Sequence, residues 1–318
     1  MAENQSTAVV GKKADGKFML LMKQIYKHRA LMLMLLVGLV YYAVFHYAPL
    51  AGIQIAFRDF KVRDGIWGSE WVGLKWFRKM WMGPSFVTVF KNTLILSVYK
   101  FVTGFPAPIL FALLLNELRN KWFKKIIQTV SYLPHFLSWV ILAGVFMQIL
   151  SPSTGAVNII IKFFGGQPIY FLGNSQYFRG TMVMLSIWKG IGWGSIIYLA
   201  TLSGISPELY EAAVIDGAGR FKQAIHITLP SLLPVISIMF IMNIGSVIND
   251  DFDQIYNLYN ENVYDVADVI STYVYRQGLV KMEYSYSSAV GLFKNVISFG
   301  LIIITNTITS RISEYGIW

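Results

Sequence analysis

Six stretches of this chain are apolar over about twenty residues apiece, the length a helix needs to cross the hydrocarbon of a bilayer. They run at about 30–50, 93–116, 127–150, 180–205, 231–249 and 285–310. No water reaches the backbone inside a bilayer, so each segment must close its own hydrogen bonds, which a single segment does as a helix. Composition agrees: 55% of residues are hydrophobic and 14% charged, against roughly 25% charged in soluble domains. The expectation is an all-α membrane protein with six transmembrane helices. The first, ALMLMLLVGLVYYAVFHYAPL, follows a polar tail and has no small-residue cleavage site, so it reads as a retained anchor rather than a signal peptide.

Lysine and arginine set the orientation of such a chain. Lys12, Lys13, Lys17, Lys23, Lys27 and Arg29 precede the first span, and Arg119, Lys121, Lys124 and Lys125 follow the second. Both groups are predicted to face the cytoplasm, which puts both termini there: a tail at 1–29, a transmembrane domain at 30–310 and a tail at 311–318. Segment 250–284, with seven acidic residues against two basic, falls outside. Loop 51–92 is external too, although it carries seven basic residues; the rule weakens for long loops. The net charge of +10 is thus read as basic membrane flanks and not as nucleic-acid binding. The absence of cysteine excludes disulfides, and His28, His46, His135 and His226 lack the spacing of a metal site. No nucleophile stands with a base, so no enzyme is expected.

One segment, ELYEAAVIDGAGRFKQAIHITLPSLLPVI at 208–236, is too polar for lipid at its start and is broken by glycine. Ser206 and Pro207 form a helix start, the serine as N-cap and the proline where its missing N–H costs nothing. Gly217 suits the left-handed residue that ends a helix. Phe221, Ile225 and Leu229 then share a stripe, and Pro230 is expected to close this second short helix before the fifth span. The predicted element is a helical hairpin on the cytoplasmic side, too small to fold alone and therefore in need of a protein partner.

Glu211-Ala212-Ala213, Asp216-Gly217-Ala218, Phe221, Ile225, Ile227 and Leu229-Pro230 resemble the EAA loop of binding-protein-dependent ABC importer permeases. The rest of the chain resembles the maltose-type sugar branch, especially the polysaccharide permease subgroup. The resemblance implies a type I importer permease fold in a bacterial plasma (inner) membrane. It also implies that Glu211, Ala212, Ala213, Asp216, Gly217, Ala218 and Phe221 form the joint with a cytoplasmic ATPase. Two ATPase subunits would carry ATP and magnesium, with no cofactor on this chain. A second, homologous permease chain, as a heterodimer, and an extracellular solute-binding protein complete the implied assembly. The stretch Gly11–Phe18 imitates a phosphate-binding loop but has Phe18 where magnesium needs Ser or Thr, and no strand precedes it.

Polar residues within spans mark the path of a solute. Ser186, Lys189, Gly190 and Trp193 share one face of the fourth span, offering hydrogen-bond donors and an aromatic plate to a sugar. Asn243, Ser246 and Asp250 repeat that pattern in the fifth, and Lys294 stands in the sixth. Lys189 pairing with Asp250 and close helix packing at Gly190, Gly192 and Gly194 are the structural alternatives. Lys100, Lys189 and Lys294 together raise a uronate-containing oligosaccharide as cargo. The rival functions are an ABC permease for a non-sugar solute and a transporter driven by an ion gradient, which would need repeats and broken helices.

Overall fold

The structure, a computed structural model, describes residues 26–244, 248 and 250–313, the last six by backbone alone. The Gly11–Phe18 stretch and Ser246 therefore lie outside the described residues. The chain forms two compact units, Met1–Gln54 and Ile55–Trp318. The helical run α1 (Arg29–Phe57) begins in the first; its most apolar window has a mean hydropathy of 1.9 and buries nothing.

In the second unit, β1 (Arg58–Asp59) and β2 (Glu70–Trp71) pair antiparallel, and α2 (Lys75–Met82) leads into α3 (Pro84–Gly104) and α4 (Pro106–Asn116). The last two form one run of 33 residues, so the second span starts nine residues before the expected Thr93. Pro106 and Pro108 do not break it, because they occupy the first turn of α4, where no intrahelical donor is required.

The third span departs from expectation. Instead of one helix over 127–150, α5 (Lys121–Tyr132) passes through a turn at Leu133–Phe136 and stops; α6 (Trp139–Ile149) then leaves at 109°. Pro134 starts the tight turn, and the Ser138 side chain caps the new helix by accepting from the Ile141 N–H. A short α7 (Ala156–Phe163) follows, then α8 (Ser175–Ser203), 29 residues long and capped by Asn174.

After α9 (Pro207–Ile215), the chain runs as one helix, α10 (Arg220–Ile244), through both the expected second short helix and the fifth span. Pro230 does not close a helix. A π turn at Ala224–Thr228 widens the coil just before it, relieving the clash of the ring with the preceding turn. The chain ends with α11 (Phe252–Leu258), α12 (Ile270–Tyr275) and α13 (Tyr284–Ser313).

Contacts within the second unit fix which loops share an end of the bundle. The Arg220 guanidinium, at the start of α10, donates to Glu117 just past α4 at 2.9 Å, so the 207–220 hairpin and the α4–α5 turn lie together. At the opposite ends of these helices, Lys79 approaches Glu283 at 3.6 Å, the Phe60 N–H donates to Ser285 at 2.8 Å, and Ser175 donates to Asp265 at 2.8 Å. The acidic 250–284 segment and the basic 58–83 loop thus share the end away from the hairpin. The core between them is apolar, with Leu96, Trp139, Phe178, Met182, Ile255 and Leu258 in one buried cluster.

Candidate functional site

Two sites emerge, one at the hairpin and one within the bundle. At the hairpin, the Ser206 side chain accepts from the Glu208 N–H and Pro207 begins α9. Gly217 ends it at φ +75, with the Gly217 N–H on Val214 O at 3.0 Å and the Ala218 N–H on Ala213 O at 2.8 Å. This pair of bonds is the Schellman closure, which requires a left-handed residue at the glycine. Gln223 then donates to Ala218 O at 2.8 Å, and the Tyr210 and Thr228 hydroxyls meet at 3.0 Å, tying the two arms together. The tip is closed by these bonds and leaves large apolar side chains bare: Val214, Ile215 and Phe221 are 62%, 86% and 78% exposed. Glu211, Ala212, Asp216 and Gly217 are also exposed, while Ala213 and Ala218 are half-buried. Large apolar side chains this bare are the kind of surface that contacts with other proteins use.

Inside the bundle, two adjoining lobes of about 260 Å³ each share Lys100, Gly104, Phe105, Ser186 and Asn243. Asp250 and Asp251 close one lobe; Ile187, Gly190, Gly194 and Tyr198 line the other. The Lys100 ammonium donates to Gln254, whose amide in turn donates to Met182 O at 2.8 Å. The Asp251 carboxylate accepts from the Trp139 indole at 2.7 Å. Asp250 accepts from the Lys294 ammonium at 2.7 Å and from the Ser271 N–H at 2.9 Å.

Of the residues expected along the path, Ser186, Gly190, Asn243 and Asp250 come together on this cavity. Lys189, Trp193 and Lys294 do not line it. The cavity face of α8 is rotated toward Val183, Ile187 and Gly194, because the break between α5 and α6 occupies the other side. There Lys189 donates to His135 O at 3.2 Å, and Trp193 stacks on the His135 ring at 4.4 Å and 2°. Lys189 thus satisfies a carbonyl that the broken helix leaves open and does not pair with Asp250. Lys294 is the partner of Asp250. Asp250 itself is not helical and does not extend the face of α10; it stands in the segment just before α11.

The glycines divide by role. A Cβ at Gly192 would stand 2.1 Å from Ser131 O and one at Gly194 2.9 Å from Pro108, so these two let α8 lie against α5 and α4. Gly190 has open space around it. Lys100 and Gln254 were not singled out as a pair in the sequence, since they are 154 positions apart.

A family model described as the binding-protein-dependent transport system inner membrane component matches residues 104–314. The chain belongs to this family. It is 43% identical over 311 residues to the polygalacturonan/rhamnogalacturonan transport system permease protein YteP of Bacillus subtilis (strain 168), covering 98% of this chain and 96% of that one. Protein LplB of the same strain is 42% identical over 303 residues, 95% of each chain. Among solved structures, the chain is similar to one in a bacterial ABC transporter involved in the import of the acidic polysaccharide alginate. The TM-score is 0.86 at 38% identity, over 92% of this chain and 99% of that chain. The similarity is equal, over 93% and 99%, to a chain of the alginate ABC transporter in complex with an alginate pentasaccharide-bound periplasmic protein.

As an inner membrane component of this family, the chain has the type I importer permease fold and is a transport component rather than an enzyme. The gradient-driven alternative falls with that membership.

Proposed function

We propose that this chain is one of two permease subunits of an ATP-driven importer for acidic oligosaccharides, delivered by an external solute-binding protein. The observation that carries the reading is the Lys100 cavity in a chain so similar to a component of an importer of an acidic polysaccharide. Of Lys100, Lys189 and Lys294, Lys294 is neutralised by Asp250 and Lys189 is held at the helix break. Lys100 alone among them faces the cavity, hydrogen-bonded to a neutral amide in a lobe that also holds Asp251 and the Lys294-paired Asp250. An ammonium so placed can exchange that amide for a sugar carboxylate, a charge-assisted bond about twice as strong as a neutral one. Ser186 and Asn243 then offer hydrogen bonds to hydroxyls.

The hairpin faces the cytoplasm, where the ATPase subunits reside. Val214, Ile215 and Phe221 would enter a groove on one ATPase subunit, with Glu211 and Asp216 at its rim. From Ser203, beside the hairpin, to Ser186 in the cavity, α8 advances about 25 Å without interruption. A displacement of the hairpin when ATP closes the ATPase pair therefore reaches the cavity through a rigid rod. The bend between α5 and α6 supplies the joint about which one side of the path turns. The nucleotide and its magnesium belong to the ATPase subunits; this chain binds solute, transmits motion and alternates access.

The experiment is reconstitution of the chain with its companion permease, ATPase subunits and binding protein in liposomes. ATP-dependent uptake of an oligouronate, undiminished by an excess of neutral oligosaccharide, is the expected result. Uptake that proceeds without the ATPase, or a preference for neutral chains, would overturn the reading.

A further inference from the structure

Phe252, Tyr256, Tyr259, Tyr264 and Tyr275 form a continuous run of rings on the acidic segment. Phe252 and Tyr256 are parallel within 15° at 5.1 Å, Tyr275 lies 5.1 Å from Tyr256, Tyr259 follows at 6.0 Å and Tyr264 at 5.0 Å from Tyr259. The run has two defined ends. Phe252 directly follows Asp250 and Asp251, which line the cavity. Tyr264 precedes Asp265, which accepts from Ser175 at the first turn of α8. From Ser175 to Ser186 in the cavity, α8 advances about 16 Å, so the rings cover the interval between the end of the bundle and the cavity.

These rings are not what holds the segment in place. Gln254, Ile255 and Leu258 bury the opposite side of α11, and of the five rings only Tyr259 packs against that core. Tyr256, at the centre of the run, is 39% exposed. Its phenol is paired with Tyr275, a hydrogen bond that raises its pKa, and burial pushes the Tyr259 phenol up to about 12. Tyr256 and Tyr259 are therefore held as neutral phenols. Exposed Asp253 flanks it, and Arg276, stacked over Tyr264 at 5.2 Å, is neutralised by Asp268.

We propose that this aromatic run is a stacking track along which the sugar rings of an oligosaccharide pass from the outer end of the bundle to the Lys100 cavity. Pyranose rings carry C–H bonds on their faces, and these rest on aromatic faces without regard to the charge of the sugar. Each such contact is weak, and the neighbouring carboxylate of Asp253 opposes retention of an anion, so the track guides without trapping. Reading of the uronate charge is left to Lys100. The inference rests on the proposed transport of oligosaccharides and adds to it a dependence on chain length, because only chains long enough to span cavity and track can use both.

Uptake by the reconstituted complex, measured over a series from disaccharide to hexasaccharide, tests this. Tyr256→Ala is expected to raise KM about fivefold for the longer chains, equivalent to about 1 kcal/mol, and to leave the disaccharide unchanged. Tyr256→Phe, which keeps the ring, should match the wild type. Phe252→Leu, which keeps apolar volume but removes the plate, should reproduce the length dependence. Equal KM for wild type and both ring-deleted variants at every length, or a loss independent of length, would overturn the track while leaving oligosaccharide transport intact. Failure of the wild type to move any oligosaccharide would remove the transport reading and the track with it.

Discussion

Replacing Lys294 with methionine strands a carboxylate. Asp250 exposes 2% of its side chain and Lys294 13%, with 2.7 Å between the charged atoms. Removing one partner of a buried ion pair costs about 3–5 kcal/mol, because the other charge is left without its partner and poorly solvated. The Ser271 N–H still serves the second oxygen at 2.9 Å, which places the loss at the lower end, about 3 kcal/mol. At about 2 °C per kcal/mol for a chain of this size, melting falls by about 6 °C. The assay is scanning fluorimetry of the assembled complex in detergent, with Asp250→Asn added to Lys294→Met as the decisive control. The asparagine keeps an acceptor for Ser271 and removes the stranded charge, so the double variant should recover most of the loss. A single variant that melts within about 1 °C of wild type, or a double variant as poor as the sum of both singles, would refute the reasoning.

Other substitutions probe the remaining parts. Gly217→Val forces a β-branched residue into φ +75, so the hairpin tip should distort and binding-protein-stimulated ATP hydrolysis should fall while basal hydrolysis by the ATPase subunits persists. Gly192→Val drives a side chain into Ser131 O, and the complex should fail to accumulate in membranes; Gly190→Ala, with open space around it, should accumulate as the wild type does. Lys100→Met should raise KM for an oligouronate by tenfold or more, the loss of a charged hydrogen bond of about 1.5–3 kcal/mol, and should leave any residual uptake of neutral chains unchanged.

The hairpin was legible in the sequence because its determinants are local: Ser206, Pro207 and Gly217 act on backbone groups within a few residues of themselves. The bundle was legible through apolar length, but one unbroken third span was expected where the chain turns by 109° after Pro134. What could not be read was which side of a helix faces the path. Helical periodicity grouped Ser186 with Lys189 and Trp193, but the α5–α6 break claims one edge of α8 and the cavity the other. The π turn before Pro230 was likewise invisible, since an apolar run with a proline reads equally as a stop or as a relieved bend. Partners such as Lys294 with Asp250 and Lys100 with Gln254 arise only when distant helices are brought together.

The chain contains no cysteine, so a single introduced thiol reports its own neighbourhood without background. Ile215→Cys, at the 86% exposed tip of the hairpin, and Leu279→Cys, 64% exposed at the opposite end of the bundle, are to be treated with a bifunctional thiol reagent in the assembled complex. A cross-link from position 215 to an ATPase subunit, and none from 279, is the outcome expected of a hairpin that transmits the ATPase's motion. A cross-link from 279 to the ATPase, or labelling of position 215 by a membrane-impermeant reagent from outside intact cells, would contradict it.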